Sequence, residues 1–208
     1  MSSYVLKKVR CKCCGNEFEG KLLKGFYNPD SGDLDGFPHN PAVFDRVVVC
    51  PACGYATDRI QAEVDGFTTS VVHSEQYQKI FSSEQPDVIK KELLNAMLKK
   101  ENGMYREAAF SYLRIYWNRR ETRKHDEKAL MEAVQCFSKY LEENMDIDAA
   151  IVLIDCLRQQ ADFEEAGETA SSLLPYVEGT EYKKLVEFEL QLISEQDMSP
   201  HSKSEVYP

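Results

Sequence analysis

The chain has 208 residues, 43% of them hydrophobic, which is enough for one medium domain or two small ones. It has neither an apolar run long enough to span a bilayer nor the apolar stretch of a signal peptide, so we expect a cytoplasmic protein with no membrane partner. The formal charge of −10 is concentrated in residues 125–208, which carry 6 Lys or Arg against 19 Asp or Glu, and this half should repel nucleic acid.

Residues 1–60 have the pattern of short strands and loops. The β-branched run 47–49 favours a strand that leads into a cysteine pair. The intervening residues 28–33 and 36–41 are rich in Gly, Pro, Asn and Asp, which is typical of turns. A segment so short and so rich in loops needs a cross-link or a metal ion to fold.

Two C-x-x-C-G motifs predict the metal site. Such a turn lets two thiolates reach one ion, and the glycine permits the positive φ angle that the turn requires. Seven cysteines, an odd number, in a reducing compartment also favour metal binding over disulfides. The sequence therefore predicts a zinc-ribbon-like, rubredoxin-like β subdomain over residues 1–60, with one ion held by Cys11, Cys14, Cys50 and Cys53.

Two questions about this site stay open at the level of sequence. Cys13 could replace Cys11 or Cys14, although only the pair Cys11 and Cys14 repeats the form of the second motif. Iron is an alternative to zinc, because rubredoxins use similar cysteine turns. Zinc is favoured since the chain adds a large helical part and shows no partner redox motif.

The predicted site is structural rather than catalytic. Four cysteine ligands leave no open position at which the ion could activate water. Lys8, Arg10 and Lys12 flank the first motif and could offset the net negative charge of the thiolates. The chain contains no G-x-S-x-G, G-x-G-x-x-G or P-loop motif, so we do not expect an enzyme.

Residues 61–86 are interpreted as a connector, and helical periodicity begins after Pro86. The linkers at 103–108, 145–149 and 161–166 resemble the turn inside tetratricopeptide hairpins. We therefore predict an antiparallel helical-hairpin array over 87–197, with an ordinary helical bundle as the alternative, and a disordered tail over 198–208. The predicted helices are 87–101, 105–119, 126–143, 147–160, 163–177 and 180–196.

The segment 86–124 has an excess of positive charge, with ten Lys or Arg against five Asp or Glu. Its helix 105–120 interleaves arginines with aromatic residues, a combination that can bind nucleic acid through Arg119 and Arg120. The same aromatic residues also fall on two helix faces, as in a central helix packed on both sides. Packing is the favoured interpretation.

A family resemblance rests on the residues around the cysteines. Cys11-x-x-Cys14-Gly15-x-x-Phe18, followed by Cys50-Pro51-Ala52-Cys53-Gly54-Tyr55-Ala56 and then helices, is similar to the uncharacterised bacterial family catalogued as domain of unknown function 2225. The resemblance spans most of the chain, although Lys12 and Cys13 stand where proline is common in the family. It implies a bacterial, metal-binding protein and supplies no activity.

These observations predict an α+β protein that acts as a zinc-stabilised adaptor or scaffold for a protein or peptide partner. The alternatives are a nucleic-acid-binding protein that uses the ribbon and segment 86–124, and a rubredoxin-like iron redox protein. Neither the partner nor the oligomeric state can be predicted from the sequence.

Overall fold

The computed structural model describes residues 3–26, 32–60, 62–122 and 126–207. Within these ranges, a small N-terminal β region with a cysteine cluster precedes eight helices in antiparallel packing, which confirms the predicted α+β fold. The chain divides into two compact units. The first consists of Met1–Tyr27 and Asn40–Asp126, and the second of Asn28–His39 and Glu127–Pro208. Part of the predicted turn at 28–33, residues 28–31, lies outside the described residues.

Two antiparallel strand pairs form the β region. Strand β1 (Ser3–Arg10) pairs with β2 (Glu17–Gly25), so that Val9 lies opposite Phe18. The short strands β3 (Val48–Val49) and β4 (Ala56–Thr57) form the second pair, on either side of the second cysteine motif. A 3-10 helix over Pro41–Asp45 precedes β3.

Two short helices lie in the segment that the sequence indicates only as a connector. Helix α1 covers Gly66–Val72, and the Asp65 side chain accepts a hydrogen bond from the backbone N–H of Thr68 at its start. Helix α2 covers Glu75–Phe81, and Ser74 caps it in the same way. These capping residues are the sequence signal for both helices.

The first unit also contains α3 (Asp87–Glu101) and α4 (Tyr105–Glu121), which pack against each other. Their bounds agree closely with the predicted ones, and the turn between them uses Gly103 at φ +70°. Leu94 and Leu98 of α3 share a core with residues of the β region. Residues 87–126, which the sequence groups with the later helices, therefore belong to the unit that contains the cysteine motifs.

The second unit contains α5 (Glu127–Leu141), α6 (Ile147–Gln159), α7 (Phe163–Val177) and α8 (Tyr182–Ser194), with consecutive helices in contact. Helix α6 is buried continuously over residues 149–159, the first six of which are all apolar. The Asp162 side chain caps α7, since it accepts a hydrogen bond from the N–H of Glu165 at 3.2 Å.

Two segments outside these helices complete the second unit. Leu34 is buried among residues of α6, α7 and α8, and its backbone N–H donates to the carbonyl oxygen of His201 at 2.9 Å. The tail, for which the sequence predicts disorder, forms a 3-10 helix at Lys203–Glu205 with a capping box between Ser202 and Glu205. Backbone contacts with residues 32–34 therefore give the tail a structure.

Candidate metal centre

The first cysteine motif is a tight turn between β1 and β2. The N–H of Gly15 donates to the carbonyl oxygen of Cys11 at 2.8 Å, and the N–H of Cys11 donates to that of Asn16 at 2.9 Å. Gly15 has φ +78°, a conformation that side chains with a Cβ atom rarely adopt. The turn thus brings the side chains of Cys11 and Cys14 close to each other.

The second motif, between β3 and β4, repeats this geometry. The N–H of Gly54 donates to the carbonyl oxygen of Cys50 at 2.9 Å, and the N–H of Cys50 donates to that of Tyr55 at 2.9 Å. Gly54 has φ +81°. The two motifs are therefore equivalent turns, as their common spacing predicts.

The structure brings the four predicted sulfur atoms together. The Sγ atoms of Cys11, Cys14, Cys50 and Cys53 all lie within 4.8 Å of one another. Cys11 is 3.8 Å from Cys53 and Cys14 is 3.7 Å from Cys50, and all four cysteines are free of disulfides. In a tetrahedron with metal–sulfur bonds of about 2.3 Å, the sulfur atoms stand roughly 3.8 Å apart. The four thiols therefore fit a tetrahedral metal ion, whose identity the distances do not specify.

Cys13 lies beside this group without being one of the four. Its sulfur is not among the four that lie close together, and its side chain is partly buried against the core of the first unit. Cys11, Cys50 and Cys53 are buried, whereas Cys14 is exposed. A metal ion held by the four sulfur atoms would thus be open to solvent mainly on the side of Cys14.

The environment of the thiols is not uniform. Burial raises the pKa of Cys11 to about 11 and that of Cys53 further still. Burial acts in the same direction on Cys50, but hydrogen bonds from the N–H groups of Cys53 and Ala52 and from the neighbouring thiols lower its pKa. Because a metal ion binds thiolates, its binding would release protons from this cluster.

Two side chains of helix α2 form hydrogen bonds with the backbone of the second motif. The buried Tyr77 hydroxyl donates to the carbonyl oxygen of Gly54 at 2.9 Å and accepts from the N–H of Ala56 at 3.2 Å. The Gln78 amide donates to the carbonyl oxygen of Cys53 at 2.9 Å. These supporting residues carry no signal in the sequence, since no motif joins them to cysteines more than twenty positions earlier.

The cations beside the first motif have separate surroundings. Lys12 forms an ion pair with Glu63 at 2.6 Å, so its charge is shared with a carboxylate. Lys8 and Arg10 are exposed on β1. Of the three cations that were predicted to support the thiolates, Lys12 thus forms an ion pair with a residue from a distant part of the same unit.

The arginines of α4 have partners inside the first unit. Arg114 is buried and pairs with the fully buried Glu92 at 2.8 Å, while Trp117 lies in the same helix at 2% exposure. Arg119 lies 3.7 Å from Asp126, and the Arg120 guanidinium lies over the ring of Tyr116. These contacts agree with a packed helix. Arg123 lies outside the described residues.

Most of the chain matches the model of one known family. The model of a family described as "Uncharacterized protein conserved in bacteria (DUF2225)" matches residues 4–158, which include both cysteine motifs and helices α1–α5. No curated protein and no solved structure gives a match. Across the part of the chain that the structure describes, no helix has both the length and the apolar character needed to cross a bilayer.

Proposed function

The chain belongs to the uncharacterised bacterial family DUF2225, and from its cysteine cluster we propose that it is a zinc-stabilised module that binds another protein without catalysing a reaction. The observation that carries this proposal is the closed set of four sulfur donors. Four cysteine ligands complete the coordination of zinc, which leaves the ion a structural role.

The surroundings of the cluster support a structural role. Three of the four cysteines are buried in the same core as Val72, Tyr77 and Leu94, so the ion would join the β region to α1, α2 and α3. Zinc rather than iron is proposed because the chain adds a large helical part and shows no partner redox motif. The arrangement of four of the seven cysteines in two C-x-x-C-G motifs favours a reducing, cytoplasmic setting.

The helical hairpins favour a protein-binding function. Antiparallel hairpins joined by short turns form extended surfaces in proteins that bind peptides. The arginines of α4 that pair with Glu92 and Asp126 are engaged within the chain, which favours a protein partner over nucleic acid.

Metal analysis of the full-length protein tests the zinc assignment. We expect one zinc per chain in the wild type, less than a fifth of that in Cys50→Ser, and an unchanged content in Cys13→Ser. Cys13→Ser is the matched control, because it removes a neighbouring thiol that is not among the four. A colour due to bound iron, or loss of metal in Cys13→Ser, would contradict the assignment.

Chemical cross-linking in bacterial cells tests the interaction. The wild-type chain should yield a reproducible cross-linked protein that is identified by mass spectrometry, and Cys50→Ser should lose it. Repeated recovery of the chain alone would argue against an interaction module, whatever the metal content.

A further inference from the structure

An open cleft of about 700 Å³ lies along β2 in the first unit. Five consecutive residues, 22–26, line one side of it. Consecutive residues of a strand point to opposite faces of the sheet, so a cleft lined by five in a row runs along the strand's edge rather than over one face. Among the described residues, β2 forms strand hydrogen bonds only with β1. Strand β3 lies close to β2 near Gly20, but it is not hydrogen-bonded along this edge.

The cleft combines apolar and cationic side chains. Val48 and Ile60 are buried and apolar, whereas Lys24, Arg46 and Arg59 are exposed and positively charged. Asp58, the acidic residue in the lining, has a partner already, since it lies 3.8 Å from Lys99. Within the described ranges, none of the three cations lies at ion-pair distance from a carboxylate, although the charge of Arg46 acts on the buried Glu92. The cleft therefore has an excess of positive charge.

We propose that an extended, acidic segment of a partner protein binds in this cleft as an added strand beside β2. Main-chain hydrogen bonds to the free edge would supply affinity, as in other cases of strand addition. Apolar side chains of the segment would face Val48 and Ile60, and its carboxylates would pair with Lys24, Arg46 and Arg59. The inference rests on the proposed function and names the chemistry of the partner.

The charge requirement is tested with a fluorescent ten-residue peptide that alternates glutamate and valine. Fluorescence anisotropy measures its affinity for the metal-loaded full-length protein. We expect Arg46→Glu/Arg59→Glu to weaken binding at least tenfold, because two attractive contacts become repulsive. The matched control, Lys7→Glu/Lys8→Glu, makes the same charge change on exposed residues of β1 and should bind within twofold of the wild type.

The strand requirement is tested by methylating the peptide's backbone nitrogens. Only alternate residues of an added strand direct their N–H groups at the neighbouring strand. One peptide is methylated at its glutamates and the other at its valines, so that charge and side chains stay the same. One of the two should bind at least tenfold more weakly than the other. Equal affinities would overturn strand addition.

Other occupants give distinct results. Tighter binding of a single-stranded oligonucleotide than of the peptide, lost in Arg46→Glu/Arg59→Glu, would assign the cleft to nucleic acid. A wild-type dimer in sedimentation that dissociates in this variant would assign it to an acidic stretch of a second copy. Either result overturns the proposal. If the cross-linked partner persists in the double variant, the interaction module stands and its docking site lies outside the cleft.

Discussion

Gly15 and Gly54 perform the same backbone task in different surroundings. Both have positive φ angles at the end of a cysteine turn. A Cβ atom on Gly15 would come no closer than 3.7 Å to the Arg10 side chain, whereas one on Gly54 would lie 2.7 Å from the ring of Phe81. Gly54 therefore has a packing role in addition to its conformational one.

We expect Gly54→Ala to destabilise the first unit more than Gly15→Ala. Each substitution has a backbone cost of about 1–2 kcal/mol, and the clash with Phe81 adds roughly 1–3 kcal/mol for Gly54→Ala alone. Denaturant unfolding followed by the fluorescence of Trp117, the single tryptophan, measures both effects. Combining Gly54→Ala with Phe81→Ala should recover part of the extra loss, and strictly additive effects would contradict this explanation.

At the scale of residues, the sequence was sufficient to predict that the four cysteines form one site, because two motifs of identical spacing form identical turns. The contacts of Tyr77 and Gln78 with the second motif were not predictable. Their hydrogen bonds go to backbone carbonyl groups, and any residue type would offer the same acceptor.

Among the elements, the long helices were predictable and the short ones were not. Helix α5 has one apolar face and therefore a clear helical period. Helix α6 begins with six consecutive apolar residues, 149–154, which have no period and fit a buried helix or a buried strand equally well. Helices α1 and α2 have seven residues each, which is too short for periodicity, and only Asp65 and Ser74 mark their starts.

A buried charged group joins α6 to α8 and the tail. The Arg158 guanidinium donates to the Glu189 carboxylate at 2.9 Å, to the Asp155 carboxylate, and to the carbonyl oxygens of Asp197 and Ser199. Burial, together with the charge of Asp35, raises the pKa of Asp155 to about 6, and burial also raises that of Glu189. One cation thus faces more than one buried carboxyl group.

This arrangement predicts a pH dependence for the second unit. An acid whose pKa is raised from 3.8 to about 6 holds its proton more tightly in the folded state. Its contribution to the free energy of unfolding is therefore complete below pH 4 and is lost as the pH rises through about 6, by roughly 1–3 kcal/mol. Hydrogen exchange of α6 amides between pH 4 and 7, corrected for intrinsic rates, should show this decline.

The variant Asp155→Asn removes the titrating group, so the decline should become shallower, with Glu189 responsible for what remains. Asp148→Asn provides the control, since it removes an exposed carboxylate from the same helix. Equal slopes in Asp155→Asn and the wild type would assign the pH dependence to other groups.

At the scale of the whole molecule, the two units differ in what stabilises them. Cys11, Cys50 and Cys53 belong to the core of the first unit, whereas the second is built from apolar helix faces and the Arg158 group. The sequence predicted a metal-binding part and a helical part. It did not indicate that α3 and α4 belong with the cysteines, because periodicity reports which face of a helix is apolar and not what covers it.

Removal of the metal should therefore affect one unit selectively. With a strong chelator and a reductant, we expect amide hydrogens of β1–β4 and α1–α3 to lose protection, because metal binding contributes directly to folding in such sites. Amides of α6–α8 should keep their protection. Hydrogen exchange with mass spectrometry distinguishes the two, and loss of protection throughout the chain would show that the units unfold together.

The placement of Leu34 has a consequence for biosynthesis. Residues 32–39 belong to the second unit, yet they are translated well before α6, α7 and α8, the helices that bury Leu34. Until those helices have been synthesised, Leu34 lacks the apolar residues that bury it in the folded chain. Early metal binding by the two cysteine turns, one on either side of this loop, would hold both ends of the loop together and restrict non-native contacts of Leu34.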